Sequence, residues 1–372
     1  MKTYRVALLG CGGRGRAAAG AYQAHPRTQL AALCDLDPKR LNALGDVLGV
    51  SARFADLDEM IDKTRPDIVI VPTRTDLHAE LCLRVLEHGV HIEVEKPICA
   101  ELAEADAVMA KARARGVRVA VHHQSRVDAP IRALARAIEE GKIGQVRYGY
   151  ASCQGLHGGY GLLYIGTHLL NNLIKFTGPC RSVSAIGLTG GRPMAPQDVY
   201  ASADGMGIAA GERLTATLHF DNGVSATLLQ HLFPRTDAAA YAMELYGTEG
   251  RLFWKRSGAW WLPQPHFVPD GEHDRWQALP LVPLEHFDPA KGAEPDDYWF
   301  AEEYVQALDQ GRDHECSGEA ALHVMEIMMG IFESAAYGVR VALPQARRDH
   351  PLRRWREEAG LGLPEKRTFA SG

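Results

Sequence analysis

The stretch Val6-Ala7-Leu8-Leu9-Gly10-Cys11-Gly12-Gly13-Arg14-Gly15 decides how the rest of the chain is read. A short apolar run ends in glycine, and the residues from Gly10 satisfy G-x-G-x-x-G just before an amphipathic stretch, Arg14 to Ala24. Gly10 permits the tight turn, Gly12 lets a pyrophosphate approach the backbone, and Gly15 lets helix and strand pack closely. The helix N-terminus presents N–H groups and the positive end of its dipole to an anion, with Gly13 and Arg14 in its first turn. In a chain with 37 glycines the motif alone is weak, so its place between a strand and a helix carries the weight. Asp35 ends the next apolar run, twenty residues after Gly15, where a carboxylate accepts from the ribose hydroxyls of an adenine dinucleotide. That acid places NAD ahead of NADP, because a 2′-phosphate would meet like charge; Lys39 and Arg40 pull the other way.

Outward from this stretch the same alternation continues. Apolar runs recur at Leu30–Leu33, Ile68–Val71, His91–Val94 and Val117–Val121, with helical stretches Pro38 to Leu48, Leu77 to His88 and Ala103 to Arg115 between them. Continuous apolar runs suit parallel strands covered on both faces, and strand–helix alternation implies right-handed crossovers in a doubly wound sheet. After about residue 122 the pattern changes. One helix, Ile131 to Glu140, precedes strand-like runs at Gln145–Cys153, Ser182–Leu188, Leu214–Phe220, Val224–His231 and Ala240–Tyr246. Asp221-Asn222-Gly223 is a hairpin signal, so this half reads as α+β with a mixed or antiparallel sheet. Residues 263–297 read as a surface loop, Ser317 to Tyr337 as a helix, and the end as a charged tail. The expected organisation is a Rossmann domain over 1–122, a substrate-binding and oligomerisation domain over 123–346, and a tail over 347–372.

The bulk properties agree with a soluble two-domain protein: 372 residues, 46% hydrophobic and 23% charged. A net charge of −5 has no pull on a nucleic-acid backbone. Seven dispersed cysteines, none in a C-x-x-C pair, argue against a disulfide framework and structural zinc. No run reaches the ~18 apolar residues of a membrane span. The expectation is a cytoplasmic protein with no metal.

Glu95-Lys96-Pro97 follows the His91–Val94 run, at the carboxyl end of a strand, where open α/β sheets bind ligands. A lysine there can donate to a substrate hydroxyl and favour the alkoxide that precedes hydride loss, with Glu95 holding the ammonium. On its own the tripeptide also reads as a surface ion pair before a turn.

Taken with Gly10 to Gly15, Asp35, Thr73 to His78, and Gly166-Thr167-His168, this tripeptide resembles the glucose-fructose oxidoreductase / inositol dehydrogenase (Gfo/Idh/MocA) family. Tyr246-Gly247-Thr248-Glu249-Gly250 and Ser317-Gly318-Glu319 agree as well, so the resemblance spans roughly residues 4 to 345. It implies a Rossmann domain followed by a domain with a large, open, mostly antiparallel sheet, and action on a hydroxyl or keto carbon of a sugar or cyclitol. It further implies Lys96 as the catalytic lysine, Thr73 and His78 on the nicotinamide and ribose side, and Arg126 facing the cleft. Partners would be a small carbohydrate or polyol and a second or further copy of the chain, paired through the open sheet as a dimer or tetramer.

Two departures stand out. The family's aspartate–histidine–aspartate positions read Tyr164, His168 and Asn171, so both carboxylates are lost and Tyr164 becomes a phenolic donor beside His168. The usual Thr-Pro-Asn-x-x-His reads Thr73-Arg74-Thr75-Asp76-Leu77-His78, with Arg74 placed to reach a phosphate or an acidic substrate, or else solvated. Outside the resemblance, a histidine at the head of an apolar helix is ordinarily core; its ordinary pKa near 6.5 suits proton exchange at neutral pH. His122, His123, His157 and His231 are scattered, and Trp260-Trp261 and Tyr298-Trp299-Phe300 read as packing or interface. The lost carboxylates leave open an NAD-retaining glycoside hydrolase or lyase acting by transient oxidation. A ligand-sensing regulator is a further reading, against which Lys96 counts.

Overall fold

The computed structural model describes residues 2–153, 158–233, 241–265, 271–272 and 274–369. It divides into two compact units, 1–128 with 284–322, and 129–283 with 323–372.

In the first unit six parallel strands are β1 (Tyr4–Leu9), β2 (Thr28–Cys34), β3 (Arg53–Phe54), β4 (Ile68–Val71), β5 (His91–Val94) and β6 (Val119–Val121), in spatial order β3-β2-β1-β4-β5-β6. Val6, Leu8, Ile68, Val69, Ile92 and Val121 are fully buried, as strands covered on both faces require. The crossover helices are α1 (Gly13–Ala24), α2 (Pro38–Leu48), α3 (Leu57–Thr64), α4 (His78–Glu87) and α5 (Leu102–Arg115). Local chemistry sets their ends. Asp37 caps α2 by accepting from the Lys39 N–H at 2.9 Å, and Gly49 and Gly116 close α2 and α5 in the left-handed conformation. The strand order reverses between β1 and β4, which opens the crevice in which this fold binds nucleotides.

The boundary expected at residue 122 needs correcting, for two reasons. The unit runs on to Asp128, and residues 284–322 return to it. Phe300, Ala301, Tyr304 and Val305 of the helix Pro295–Asp309 share one buried cluster with Val6, Leu8, Ala18 and Tyr22. The Tyr304 hydroxyl donates to the Ile92 carbonyl at 2.8 Å, and Val121 N–H donates to the Cys316 carbonyl at 2.8 Å. The helix also starts inside the stretch read as a loop to residue 297.

In the second unit, ten strands among the described residues form one sheet. Its order runs Gln277–Ala278, Gly258–Leu262, Arg251–Lys255, Tyr241–Gly247, Val146–Cys153, Ser225–His231, Arg213–Phe220, Cys180–Thr189 and Val341–Ala342, with Arg192–Pro193 also on Cys180–Thr189. All neighbours are antiparallel except Ser225–His231 with Val146–Cys153. The hairpin at Asp221-Asn222-Gly223 forms as expected, with Arg213 opposite His231 and Gly223 at φ 83°. Residues alternate along the central strands: Leu214, Ala216 and Leu218 are buried while Thr215, Thr217 and His219 are not. The covered face receives the helix Thr167–Thr177, for which Gly149 makes room: a Cβ there would lie 2.8 Å from Leu173 Cδ1. The segment expected as a bare tail is built in, with a helix Pro351–Glu358 and a strand Lys366–Arg367 parallel to Tyr200–Ser202. No helix among the described residues is long and apolar enough to cross a membrane. His157 and the start of the strand expected at Ala240 lie outside the described residues.

Candidate active site

β1 ends at Leu9, and Gly10 follows at φ +112°, a left-handed-side conformation that a side chain would strain. A Cβ on Gly15 would sit 2.0 Å from the Gly10 carbonyl oxygen, so α1 approaches the turn as closely as only glycine allows. Gly12 and Gly13 instead face open space. Among the described residues no side chain caps α1, and no acid lies in its first turn. Its N–H groups therefore point at the crevice, where a pyrophosphate would sit. A cleft of about 540 Å³ borders them, lined by Cys11, Gly12, Gly13, Arg16, Arg40, Ala43, Leu44 and Val47.

Asp35, half-buried at the end of β2, is held in place by two backbone donors. Its Oδ2 accepts from Cys11 N–H and its Oδ1 from Asp37 N–H, each at 2.7 Å. Across the reversal point, a Cβ on Gly10 would meet Thr73 Cγ2 at 3.3 Å, so the segment after β4 forms the facing wall. The Thr73 hydroxyl is buried without a hydrogen-bond partner among the described residues. An open glycine cradle, a positioned ribose acceptor and an orphaned hydroxyl all fit a dinucleotide.

His78 does a different task from the one expected. It is fully buried, with ring nitrogens 3.0 Å from the Pro97 carbonyl and 3.1 Å from the Thr73 carbonyl. Burial pushes its pKa down, and a neutral ring has one N–H to donate, so it bonds one of these two carbonyls and packs against the other, between the Thr73 segment and the Glu95-Lys96-Pro97 turn. Arg74 is exposed and paired with Asp76, the solvent outcome.

Glu95 and Lys96 follow β5 directly. Arg14 was expected to contact the cofactor; its guanidinium instead bonds Glu95 Oε1 at 2.7 Å and Asp297 Oδ1 at 3.2 Å. Glu95 Oε2 accepts from the Lys96 backbone N–H at 3.2 Å. Burial works to raise the Glu95 carboxyl, but the charges of His122, Arg14 and Lys96 hold it below its ordinary value. Behind this turn His122 lies between Glu93 and Asp297, a constellation the sequence reading passed over. A carboxylate in the middle of the apolar run His91–Val94 was the available signal, because a core carboxylate must find a partner. Arg126 lies half-buried in the turn Gln124–Val127 after β6, and burial holds its guanidinium pKa below the ordinary value.

In the second unit Tyr164, His168 and Asn171 occupy one continuous helical stretch. A wide π-helical turn, Leu162–Gly166, leads into the helix Thr167–Thr177. Such turns recur at functional sites. Tyr164 is half-exposed and stacks on Tyr160, ring centroids 5.6 Å apart at 14°. Tyr160 in turn stacks on Phe369 and donates to Asp204 at 2.8 Å. His168 is 6% exposed and Asn171 is fully buried.

A family model described as an oxidoreductase family with an NAD-binding Rossmann fold matches residues 4–123. D-apiose dehydrogenase of Paraburkholderia graminis is 32% identical over 152 residues, 41% of this chain. D-xylose 1-dehydrogenase (NADP+) 2 of Haloferax volcanii is 25% identical over 318 residues, 85% of this chain. The match spans 40% of the length of the first relative and 92% of the second. The structure of an NAD binding oxidoreductase from Klebsiella pneumoniae has the same fold, with TM-score 0.77 at 19% identity over 92% of this chain and all of its own. The strand order and the glycine turn agree with this match, and residues 4–123 resemble the NAD-binding Rossmann domain of that oxidoreductase family.

Proposed function

We propose that the protein is an NAD-dependent dehydrogenase that oxidises or reduces a hydroxyl or keto carbon of a sugar, sugar derivative or cyclitol. The observation that carries this reading is Lys96 at the carboxyl end of β5, tied through Glu95 and Arg14 to the glycine turn. The relatives named as apiose and xylose dehydrogenases support the substrate class.

When bound, the nicotinamide supplies the hydride acceptor or donor. The chain's part is to hold the dinucleotide and move the proton. The glycine turn and the α1 N-terminus bind the pyrophosphate, Asp35 accepts from the adenine ribose, and Thr73 offers its hydroxyl. The Lys96 ammonium donates to the substrate oxygen and stabilises its developing negative charge. His168 takes up the proton in the oxidative direction, with Tyr164 as a phenolic donor in place of the family's carboxylate. Arg126 and Asn171 are assigned to substrate. The half-exposed sheet face bearing Tyr148, Ile186, Thr217 and Leu229 is the surface through which copies pair. None of the seven cysteines forms a disulfide among the described residues, which supports a reducing compartment, the cytoplasm.

The test is a panel of aldoses, polyols and cyclitols with NAD, read by nicotinamide absorbance together with product analysis. Net reduced nicotinamide that grows with oxidised product supports the dehydrogenase. Cleaved glycoside without it overturns that reading in favour of transient oxidation.

A further inference from the structure

His122 stands directly after β6, fully buried between two carboxylates. Its Nδ1 lies 2.8 Å from Glu93 Oε1 and its Nε2 2.8 Å from Asp297 Oδ1. A carboxylate only accepts, so both ring nitrogens must carry protons for both bonds to form, and the ring is an imidazolium. The other Glu93 oxygen accepts from the Tyr22 hydroxyl. Asp297 also receives Arg14 at 3.2 Å, Arg14 reaches Glu95 at 2.7 Å, and Glu95 receives the Lys96 N–H. Charge alternates along this line: Glu93 negative, His122 positive, Asp297 negative, Arg14 positive, Glu95 negative, Lys96 positive.

We propose that His122 is a positioning residue whose imidazolium, through Asp297 and Arg14, fixes Glu95 and thereby tunes the proton affinity of Lys96. This rests on reading Lys96 as the group that handles the substrate proton.

The surroundings fit that task. Glu93 reaches His122 from β5, Asp297 from the helix Pro295–Asp309, and the Phe300 ring packs at 4.5 Å. The His314 ring packs on Phe300 at 4.2 Å, and the His122 charge helps to lower its pKa after burial. Tyr22 couples to Glu93 and Asp297, Tyr304 to Glu93, Arg14 to Asp297, and Glu95 to the His122 charge itself. Burial opposes a charged His122, yet the bonds to Asp297 and Glu93 push its pKa up to about 10. At the neighbouring His123, burial first, then the charges of Lys96, Arg126 and His122, holds the pKa well below its ordinary value. Burial would likewise raise Asp297, but His122 and Arg14 hold it well below the carboxylate range. Two adjacent, fully buried histidines thus shift in opposite directions, His122 raised by its two carboxylates and His123 lowered by burial and neighbouring cations.

Because the charges alternate, changes at two points of the line move Lys96 in opposite directions. Asp297→Asn removes a negative charge and leaves Arg14 less compensated, so the Lys96 pKa falls. His122→Gln removes a positive charge, so the Lys96 pKa rises. General damage to the turn would not produce shifts of opposite sign. The Lys96 pKa is read from the pH dependence of its carbamylation by cyanate, followed by peptide mass spectrometry. That readout needs no turnover, so it decides the inference even if no sugar is oxidised. Where turnover is found, the alkaline limb of the pH–rate profile should move the same way, with kcat lowered roughly tenfold and KM for NAD little changed. If His122→Gln does not fold, imidazole ¹⁵N spectra of the unmodified protein still test the premise. One histidine should keep both nitrogens protonated at about pH 8. Shifts of the same sign, no shift in either variant, or all histidines neutral at that pH would overturn the proposal.

Discussion

Two buried polar centres, one in each unit, are held in opposite ways. In the first, Glu93, His122 and Asp297 are at most 3% exposed, and each has a charged or hydroxyl partner within hydrogen-bond distance. In the second, Gln230 is fully buried on the covered face of the sheet, and neither of its amide atoms has a hydrogen-bond partner among the described residues. A satisfied buried network is rigid and costly to break, whereas an orphaned amide costs stability continuously. The first unit therefore holds its chemistry by electrostatics. The second tolerates a defect beside the helix that bears His168: a Cβ on Gly166 would lie 3.2 Å from the Gln230 side-chain oxygen.

The sharpest test of this contrast lies in the chemistry assigned to each unit. Lys96→Met should lower turnover by roughly 10²–10⁴-fold, the range for a positioned proton-transfer group, with NAD affinity much less affected. His168→Asn should cost roughly 10²-fold and Tyr164→Phe less. Steady-state kinetics with calorimetric NAD titration checks both. Near-normal turnover in Lys96→Met would reduce the lysine to a neighbour of Glu95.

The second test concerns stability. Removing one member of a buried charge network costs about 3–5 kcal/mol, so His122→Gln should lower the unfolding free energy by that order in denaturant titrations. The pH dependence carries its own signature. The His122 pKa is raised in the folded state, so its contribution is complete below the ordinary histidine value near 6.5 and is lost as pH climbs towards about 10. The unmodified protein should lose stability over that window more steeply than His122→Gln. Asp297 is held low, so its contribution is present at neutral pH and lost as the solution is acidified. Parallel stability curves for the two proteins would mean that His122 is neutral.

The same contrast marks what could be read from the chain alone. The glycine turn and the apolar runs are local, because backbone conformation and double-sided burial leave their pattern within a few residues. Asp35 was legible for the same reason, at the end of its strand. The return of 284–322 to the first unit was not. Phe300 and Tyr304 are visibly core-forming aromatics, but nothing near them in sequence says which sheet they cover. His122 was hidden because its partners come from 29 and 175 residues away. Arg14 was read by its place in the motif, whereas its guanidinium answers to Asp297, a residue assigned from sequence to a loop. In the second unit Tyr164, His168 and Asn171 rest on resemblance, since their helix alone reads as core.

A smaller effect is expected at the cofactor. With its carboxylate fixed by Cys11 and Asp37 N–H groups, Asp35 should make NAD bind tighter than NADP. Asp35→Ala should narrow the gap by roughly tenfold, the weight of one charge-assisted hydrogen bond. NADP preferred by the unmodified protein would turn the reading over and assign its phosphate to Arg16 and Arg40, which already line the cleft.

The smallest effect probes the orphaned amide. Gln230 sits one residue from the end of its strand, paired with Leu214 on one side and Cys153 on the other, and its side chain points to the covered face. Methionine nearly matches it in volume and shape and removes both polar atoms, so Gln230→Met keeps the packing and deletes the unsatisfied groups. Relief of a buried unpaired polar group is worth about 1–3 kcal/mol, so thermal unfolding should shift upward by a few degrees. Turnover separates two reasons for keeping the amide. Unchanged kcat and KM would mean that the defect is an accident of the core. A stabilised protein with a weakened substrate KM would mean that the amide is held for the substrate-binding side of the His168 helix, a stability cost accepted for function. A fall in melting temperature instead would show that the amide is satisfied in solution by an internal water, and the contrast between the units would close.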